Sequence, residues 1–510
     1  MPQLYGVLQI VLQQKKNSAA RSGAVVRRSL DRFINRFTVR PERGRLHSQK
    51  ASFRRRINRF TEMPTPDDVL RTLRIAGRQS AGALVERLGI SRATLMRYVQ
   101  ALGPQVLSMG RARRTTYAAT RAIRGARLEL PVYCISETGE AQELASLVPL
   151  ADGTALQVRQ QLGWPLDEDM AQGWFDGIPY MLYDMRPQGF LGRHFARANA
   201  ALMQVPEDPA QWSDDDILYV LSIAGVDVPG CYVLGETALR TWLALTQQPV
   251  DAIEDDQVDA AYPALAQAAM AQGIPGSSAG GDFPKFTAVR RIQGQIVHVL
   301  VKFCGSDVSA GTQRWSDLLV CEHLAGEVMR ERLQVEAAAS RVRQAGGRTF
   351  LEVIRFDRHG AHGRSPLCSW GSLNAGVVGA GPGPWTAAAA ALAARGWIDA
   401  ITRSRIELLW HFGKLTANTD MHEGNLSFRP GLALAPAYDM LPMLYAPERG
   451  VELPQREFAP LPPIPAEREA WNAARPAAVA FWERAAADAR ISAGFRAICA
   501  ANAQRLHAMH

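Results

Sequence analysis

The stretch NTDMHEGN, residues 418–425, gathers Asp420, His422, Glu423 and two asparagines behind the apolar run IELLWHFGKL, and LAPAYDM, further on, adds Asp439. A carboxylate in such a loop can accept or orient a hydroxyl proton. The amide oxygen of Asn425 and the carboxylate of Asp439 are hard donors, of the kind magnesium takes when phosphate oxygens complete its shell. Each residue also has a local account: Asn418 or Asp420 can close an Asx-turn, His422 can lie at the surface, and Asp439 can cap a turn.

A matching set of groups precedes these acids. In IPGSSAGGDFPKFTAVRRIQGQIVHVLVKF, Ser278, Gly280 and Gly281 lie in a glycine-rich loop able to bring bare backbone N–H groups to a phosphate. Two strand-like runs come next, joined by a turn at Gln293 and Gly294. The loop lacks the GK[ST] ending of a Walker A motif and leads into a hairpin rather than a helix. Lys302 alternates with Val299 and Val301; if buried, it requires an anionic partner, although a lysine near a strand end can also reach solvent. The helical pattern SDLLVCEHLAGEVMRERL offers Glu322 for that pairing, with Glu327 as its rival, and TFLEVIRFDR reads as a strand ending in a hinge. Glycine loop, strand lysine, helix glutamate, Asp-x-x-x-x-Asn from 420 to 425 and a second aspartate form, in this order, the layout of protein-kinase phosphoryl transfer.

The rest of the chain must position these groups. At 510 residues several domains are expected. The six cysteines show no CxxC pair or metal-ligand spacing, which argues against a disulfide framework or structural zinc and for a reducing, cytoplasmic setting. No run reaches the ~18 apolar residues of a membrane span, so no membrane partner is expected. Residues 1–62 hold fifteen Lys/Arg against three Asp/Glu and residues 63–125 eleven against three, leaving −11 for the remainder of a chain of net charge +9. The first 62 residues read as a basic, disordered extension: a nucleic-acid arm, a transit peptide or a dispensable leader before Met63. Residues 63–125 read as three short helices, with Ser80 and Ser91 as N-caps and Gly89 at a turn, followed by a basic hairpin with Gly110 at its tip. This is the pattern of a winged helix-turn-helix DNA-binding domain, with Arg92, Thr94 and Arg97 on the third helix and Arg111, Arg113 and Arg114 on the wing. Residues 126–270 alternate strand-like runs (LPVYCIS, GTALQV, YMLYDMRP) with helical ones, as in an α+β module. The acidic triplet 214–216 after Ser213 reads as a helix start, not a metal site.

The set SSAGGDFPK, VLVKF, VIRFDR, NTDMHEGN and LAPAYDM resembles the HipA family of bacterial serine/threonine kinases, toxin components of toxin–antitoxin systems, over about residues 131–510. A winged helix in front of that body resembles the YjjJ-type branch. The resemblance implies an α+β, two-lobed, protein-kinase-like fold behind the winged helix: a HipA N-terminal subdomain at 126–270 and a kinase core at 271–510, with the small lobe ending near 360. It implies ATP and magnesium as cofactors, Asp420 as the catalytic aspartate, Asn425 and Asp439 as metal ligands, and Lys302 on the nucleotide phosphates. His422 matches the family's loop histidine. Ile354, Arg355 and Phe356 match the hinge that meets adenine, and Ser278 the loop serine that family members autophosphorylate. A phosphate there would place about −2 charge where the phosphates of ATP must sit. Asp282 inside the phosphate loop and YDM in place of DFG depart from the eukaryotic pattern.

Two functions are open to these residues. One is a growth-arresting kinase acting on a cytosolic protein, by family analogy an aminoacyl-tRNA synthetase. The other is a DNA-binding transcriptional regulator whose kinase fold senses nucleotide with weak or no transfer. A separate antitoxin is a further partner of typical members.

Overall fold

The computed structural model describes residues 63–110, 114–125, 129–271, 283–448, 453 and 455–509. The basic extension 1–62, Arg111, Arg113 and the loop residues Ser278, Gly280, Gly281 and Asp282 therefore lie outside the described residues. The chain divides into two units, Met1–Thr65 and Pro66–His510, and the helices and strands of the described residues all belong to the second.

Three helices open this unit: α1 (Pro66–Ala76), α2 (Ala81–Leu88) and α3 (Arg92–Leu102). Ser80 and Ser91 cap α2 and α3 as expected, their hydroxyls accepting from the N–H of Ala83 and Thr94. Gly89 ends α2 at φ +64°, a left-handed conformation in which a Cβ is strained. Strands β1 (Gln79–Ser80), β2 (Val106–Met109) and β3 (Thr116–Ala119) form an antiparallel sheet of order β1-β3-β2. Val69, Leu73, Leu84, Leu95 and Tyr117 are among the residues of a core belonging to this module alone. The other face of the β2–β3 ribbon, with Leu107, Met109 and Ala118, packs on Leu150, Ala155 and Trp174 of the next region.

That region is built on a five-stranded antiparallel sheet. Its strands are β4 (Leu130–Ile135), β5 (Ala141–Leu150), β6 (Gly153–Val158), β7 (Trp174–Phe175) and β8 (Tyr232–Leu234), in the order β7-β6-β5-β4-β8. Helices α4 (Gly189–Met203), α5 (Asp214–Ala224) and α6 (Glu236–Thr246) accompany it. At the start of α5, Ser213 and Asp216 form a reciprocal capping box, so the acidic triplet does begin a helix. The run YMLYDM is not the expected strand: Tyr180–Met185 forms a 3-10 helix with Tyr180, Met181, Leu182 and Met185 buried. A short apolar run between prolines buries itself equally well in either conformation, and its periodicity does not separate them.

Helix α7 (Val258–Ala271) leads to the antiparallel sheet β11-β12-β10-β9, made of β9 (Lys285–Ile292), β10 (Gln295–Phe303), β11 (Ser340–Ala345) and β12 (Arg348–Ile354). β9 and β10 are joined by the expected two-residue turn, with Gln293 at φ +52° and Gly294 at φ +79°. One face of β10 sends Val299, Val301 and Phe303 into a cluster with Val258, Tyr262 and Ala266 of α7. The other face meets α8 (Ala310–Val328), whose Leu318, Leu319 and Val320 join the largest core, which runs from Ile123 to Leu506.

Beyond β12 come the ribbon β13 (Arg358–His359) and β14 (Gly363–Arg364), the small sheet β15 (Cys368–Ser369), β16 (Ser427–Arg429) and β17 (Ala433–Leu434), and a helical mass of α9 (Trp385–Ala394), α10 (Ala400–Leu415), α11 (Arg468–Ala487) and α12 (Ala493–His507). The alanine-rich WTAAAAALAA is helical, as expected. No helix of the described residues is long and apolar enough to cross a membrane.

Candidate active site

Strand alternation carries Lys302 to the face of β10 opposite Val301 and toward α8. It is 3% exposed, and its ammonium donates to both carboxylate oxygens of Glu322, at 2.7 and 2.8 Å. The same nitrogen ion-pairs with Asp439. Glu327, the rival for this pairing, lies one helical turn on, beside His323 at 3.6 Å. Burial disfavours the charge on Lys302, but Asp439 and Glu322 together outweigh it and hold the ammonium above the ordinary lysine range. For Asp439, burial works against ionisation, yet Lys302, then Lys285 and His422, keep the carboxyl below its usual range. Glu322 receives less: burial pushes it up, Lys302 offsets part of that, and the like charge of Asp439 adds to the rise.

Lys285 is the residue sequence reasoning passed over. It pairs directly with Lys302 across β9 and β10, so both side chains leave the sheet on one face. Its charge acts on Glu322 and Asp439 alike. The signal was available: counting outward from the turn at 293 and 294 sets Lys285 opposite Lys302.

The segment 418–425 is fixed beside Asp439 from within. Helix α10 ends at Leu415, and the chain reverses through Ala417 at φ +57°. Asn418 is 2% exposed; its Nδ2 donates to the Asp439 carbonyl at 3.1 Å and its Oδ1 accepts the Asp420 N–H at 2.9 Å. Asn425 Nδ2 donates to the Asp420 carbonyl at 2.9 Å, which leaves Oδ1 as the end of that amide not engaged by this bond. His422 Nδ1 accepts the Gly424 N–H at 3.0 Å and caps the short turn Glu423–Asn425. Asp420 and His422 are exposed, whereas Asn425 is buried. Asp439 itself has φ +54°, a conformation aspartate tolerates better than most residues. The adjacent Tyr438 donates its hydroxyl to the Gly424 carbonyl at 2.6 Å and shares a 2.7 Å bond with Ser427.

At the end of β12 the Ile354 N–H bonds the Ala339 carbonyl at 2.8 Å, and the Arg355 N–H bonds that of His298 at 2.9 Å. The Arg355 guanidinium binds Asp227 and Asp357, at 3.0 and 3.1 Å. The Phe356 ring lies 5.9 Å from that of Tyr438, so hinge and YDM segment touch. Elsewhere, Arg92, Arg97 and Arg114 are exposed, while Thr94 is half-buried and engaged with the Ser91 hydroxyl at 2.9 Å.

The structure thus holds a cation between two carboxylates under a β-sheet, with an amide- and acid-bearing loop locked alongside. Residues 277–505 match the family model of the HipA-like C-terminal domain, and residues 126–243 that of the YjjJ-like toxin, middle domain. The toxin YjjJ of Escherichia coli strain K12 is 37% identical over 439 residues, covering 84% of this chain and 95% of that protein. The chain belongs to the HipA toxin family, in its YjjJ-like branch. Among solved structures, the Shewanella oneidensis MR-1 HipA complex with HipB and operator DNA aligns at a TM-score of 0.46 and 15% identity, covering 74% of this chain and 95% of that one. The Helicobacter pylori proinflammatory kinase CtkA aligns at a TM-score of 0.31 and 11% identity, covering 45% of this chain and 89% of that one. At these scores neither overlay decides fold or function, and the family models and the E. coli relative carry the assignment.

Proposed function

We propose that the chain is an ATP- and magnesium-dependent serine/threonine protein kinase of the HipA toxin type, with a DNA-binding domain fused at residues 63–125. The supporting observation is the buried Lys302 bridging Glu322 and Asp439 beside a loop tied to Asp439 through Asn418. The donors suit magnesium shared with phosphates rather than an all-protein cage. Among the described residues no group of three or more His, Cys, Asp or Glu side chains could hold a metal. Asn425 and Asp439 thus offer one amide and one carboxylate, with phosphate and water for the rest. When bound, ATP and magnesium supply the phosphoryl group and neutralise its charge.

In this reading Glu322 keeps Lys302 charged and in place, and Lys302, with Lys285 beside it, faces the nucleotide phosphates. The Ile354 carbonyl and the backbone of Phe356 meet the adenine, the N–H groups of Ile354 and Arg355 being taken by the carbonyls of Ala339 and His298. Ser278, Gly280 and Gly281 form the phosphate loop, and Ser278 is the self-phosphorylated position. Asp420, exposed at the loop, aligns the acceptor hydroxyl and takes its proton, with His422 next to it. The target is a cytosolic protein, an aminoacyl-tRNA synthetase by family analogy, and its modification arrests growth. Arg92, Thr94, Arg97, Arg111, Arg113 and Arg114 contact DNA, a role that a separate antitoxin fills for other members.

The exposed arginines of the first module favour a second reading, a DNA-binding regulator that senses nucleotide without transferring phosphate. One experiment separates the two. Incubated with magnesium and γ-labelled ATP, the protein should acquire label on serine or threonine, with Ser278 identified by phosphosite mass spectrometry, or pass it to a lysate protein. Asp420→Ala should abolish the label. Undiminished labelling of that variant removes Asp420 from its role, and absent labelling with ATP-responsive DNA binding selects the regulator.

A further inference from the structure

Two cysteines separated by 97 positions in sequence have their sulfurs 2.8 Å apart. Cys134 lies on β4 and Cys231 immediately before β8, and these strands pair, with Cys134 opposite Tyr232 and the Ile135 N–H donating to the Cys231 carbonyl at 3.0 Å. Cys134 is half-buried, while Cys231 is fully buried. The next residue back, Gly230, grips the two residues that follow Phe356. Its N–H donates to Asp357 at 3.0 Å and its carbonyl accepts from Arg358 at 2.9 Å.

We propose that Cys134 and Cys231 form a redox modification site, closed to a disulfide by hydrogen peroxide, and that closure stiffens the Gly230 clamp on residues 355–358. The Cys134 thiolate attacks one peroxide oxygen; the O–O bond breaks, a sulfenic acid forms, and the second oxygen leaves as water after taking up a proton. The Cys231 sulfur then attacks the sulfenic sulfur. The S–S bond forms as the S–O bond breaks, and the hydroxide leaves with the Cys231 proton as a second water. Two thiols lose two electrons and the peroxide gains them. The order of attack is set by the surroundings, since the bond from Cys231 draws the Cys134 thiol down whereas burial pushes the Cys231 thiol well up. A cytoplasmic disulfide of this kind is transient and sensing rather than structural. Cys321 and Cys499 are both fully buried and serve as an internal control.

The test uses the full chain, reduced and then treated with a slight excess of hydrogen peroxide. The intact mass should fall by two hydrogens, a non-reducing digest should yield one cross-linked peptide joining Cys134 to Cys231, and a thiol reductant should reverse both. Amide exchange at 355–358 should slow several-fold on oxidation, and the doubly substituted Cys134→Ser, Cys231→Ser chain should show no such change. Cys231→Ser alone should stop at a sulfenic acid on Cys134, trapped by a carbon nucleophile. A cross-link through Cys321 and Cys499 instead, or Cys134 and Cys231 both still alkylated after peroxide, overturns the site. A formed cross-link with unchanged exchange at 355–358 overturns the clamp. Neither result depends on phosphoryl transfer.

Discussion

Lys302 has no water to fall back on, so its energetics depend on its two acids. Replacing it with methionine leaves Glu322 buried opposite Asp439 without the cation that bonds both. Breaking a buried pair from one side costs about 3–5 kcal/mol, and a urea titration of Lys302→Met should show a loss of that order. Adding Glu322→Leu should restore most of it, because an apolar pair of similar volume costs little, yet the double variant should not recover nucleotide binding. The residue types and order of this site were legible in the sequence because each has local meaning: a lysine alternating with valines, a glutamate on the proper face of a helix, an Asp-to-Asn step. Lys285 was legible only through strand register. The distant partner of Arg355 was not legible at all, since Asp227 lies 128 positions away and no periodicity points to it.

At the scale of elements, α8 must hold Glu322 beneath β10, and it is pinned from its far side. Asp317, 1% exposed, accepts both the N–H and the hydroxyl of Ser492, at 2.7 and 2.6 Å, at the start of α12. Asp317→Ala leaves those donors without their acceptor at a buried helix end, a loss of about 1–3 kcal/mol. Ser492→Ala, which removes the cap hydroxyl alone, should cost about 1 kcal/mol. Denaturant midpoints order the two, and equal midpoints would contradict this anchoring. The 3-10 turn at 180–185, where a strand is expected from the sequence, has a comparable task. It presents Asp184 to the N–H and hydroxyl of Ser369 at 2.6 and 2.7 Å, at the start of the helical turn Trp370–Leu373. Asn374 behind that turn holds Glu423 of the acidic loop at 3.0 Å. Burial and chain reversal made the choice there, and neither leaves a period to read.

Across the whole molecule, the region of β4 to β8 meets the hinge through charge. Asp357 is buried against Arg355 and Arg358, and Asp227 bonds both arginines. Burial raises the Asp357 carboxyl, but Arg355 and Arg358 override it and hold it below the ordinary carboxylate range. A depressed folded pKa means stability that is present above the unfolded value of ~3.9 and lost as pH falls through the folded one. Asp357→Asn should therefore be clearly less stable than the parent at pH 7, with the gap shrinking below about pH 4. A gap independent of pH would show that packing, not charge, joins these regions. The strand expected from TFLEVIRFDR is present as β12; the partner of the charged residues that follow it could come only from the folded chain.

The proposed function requires Lys302, Asp439 and the loop of Asp420 to serve one shared cleft, and magnesium-dependent ATP affinity measured by titration calorimetry reports on it directly. The parent should bind ATP more tightly with magnesium than without; Asp439→Asn should lose most of that increment, Lys302→Met should weaken binding at least tenfold in either condition, and Asp420→Ala should bind like the parent. Parent-like binding by both Asp439→Asn and Lys302→Met, magnesium increment intact, would contradict a common site and leave these side chains a purely structural role.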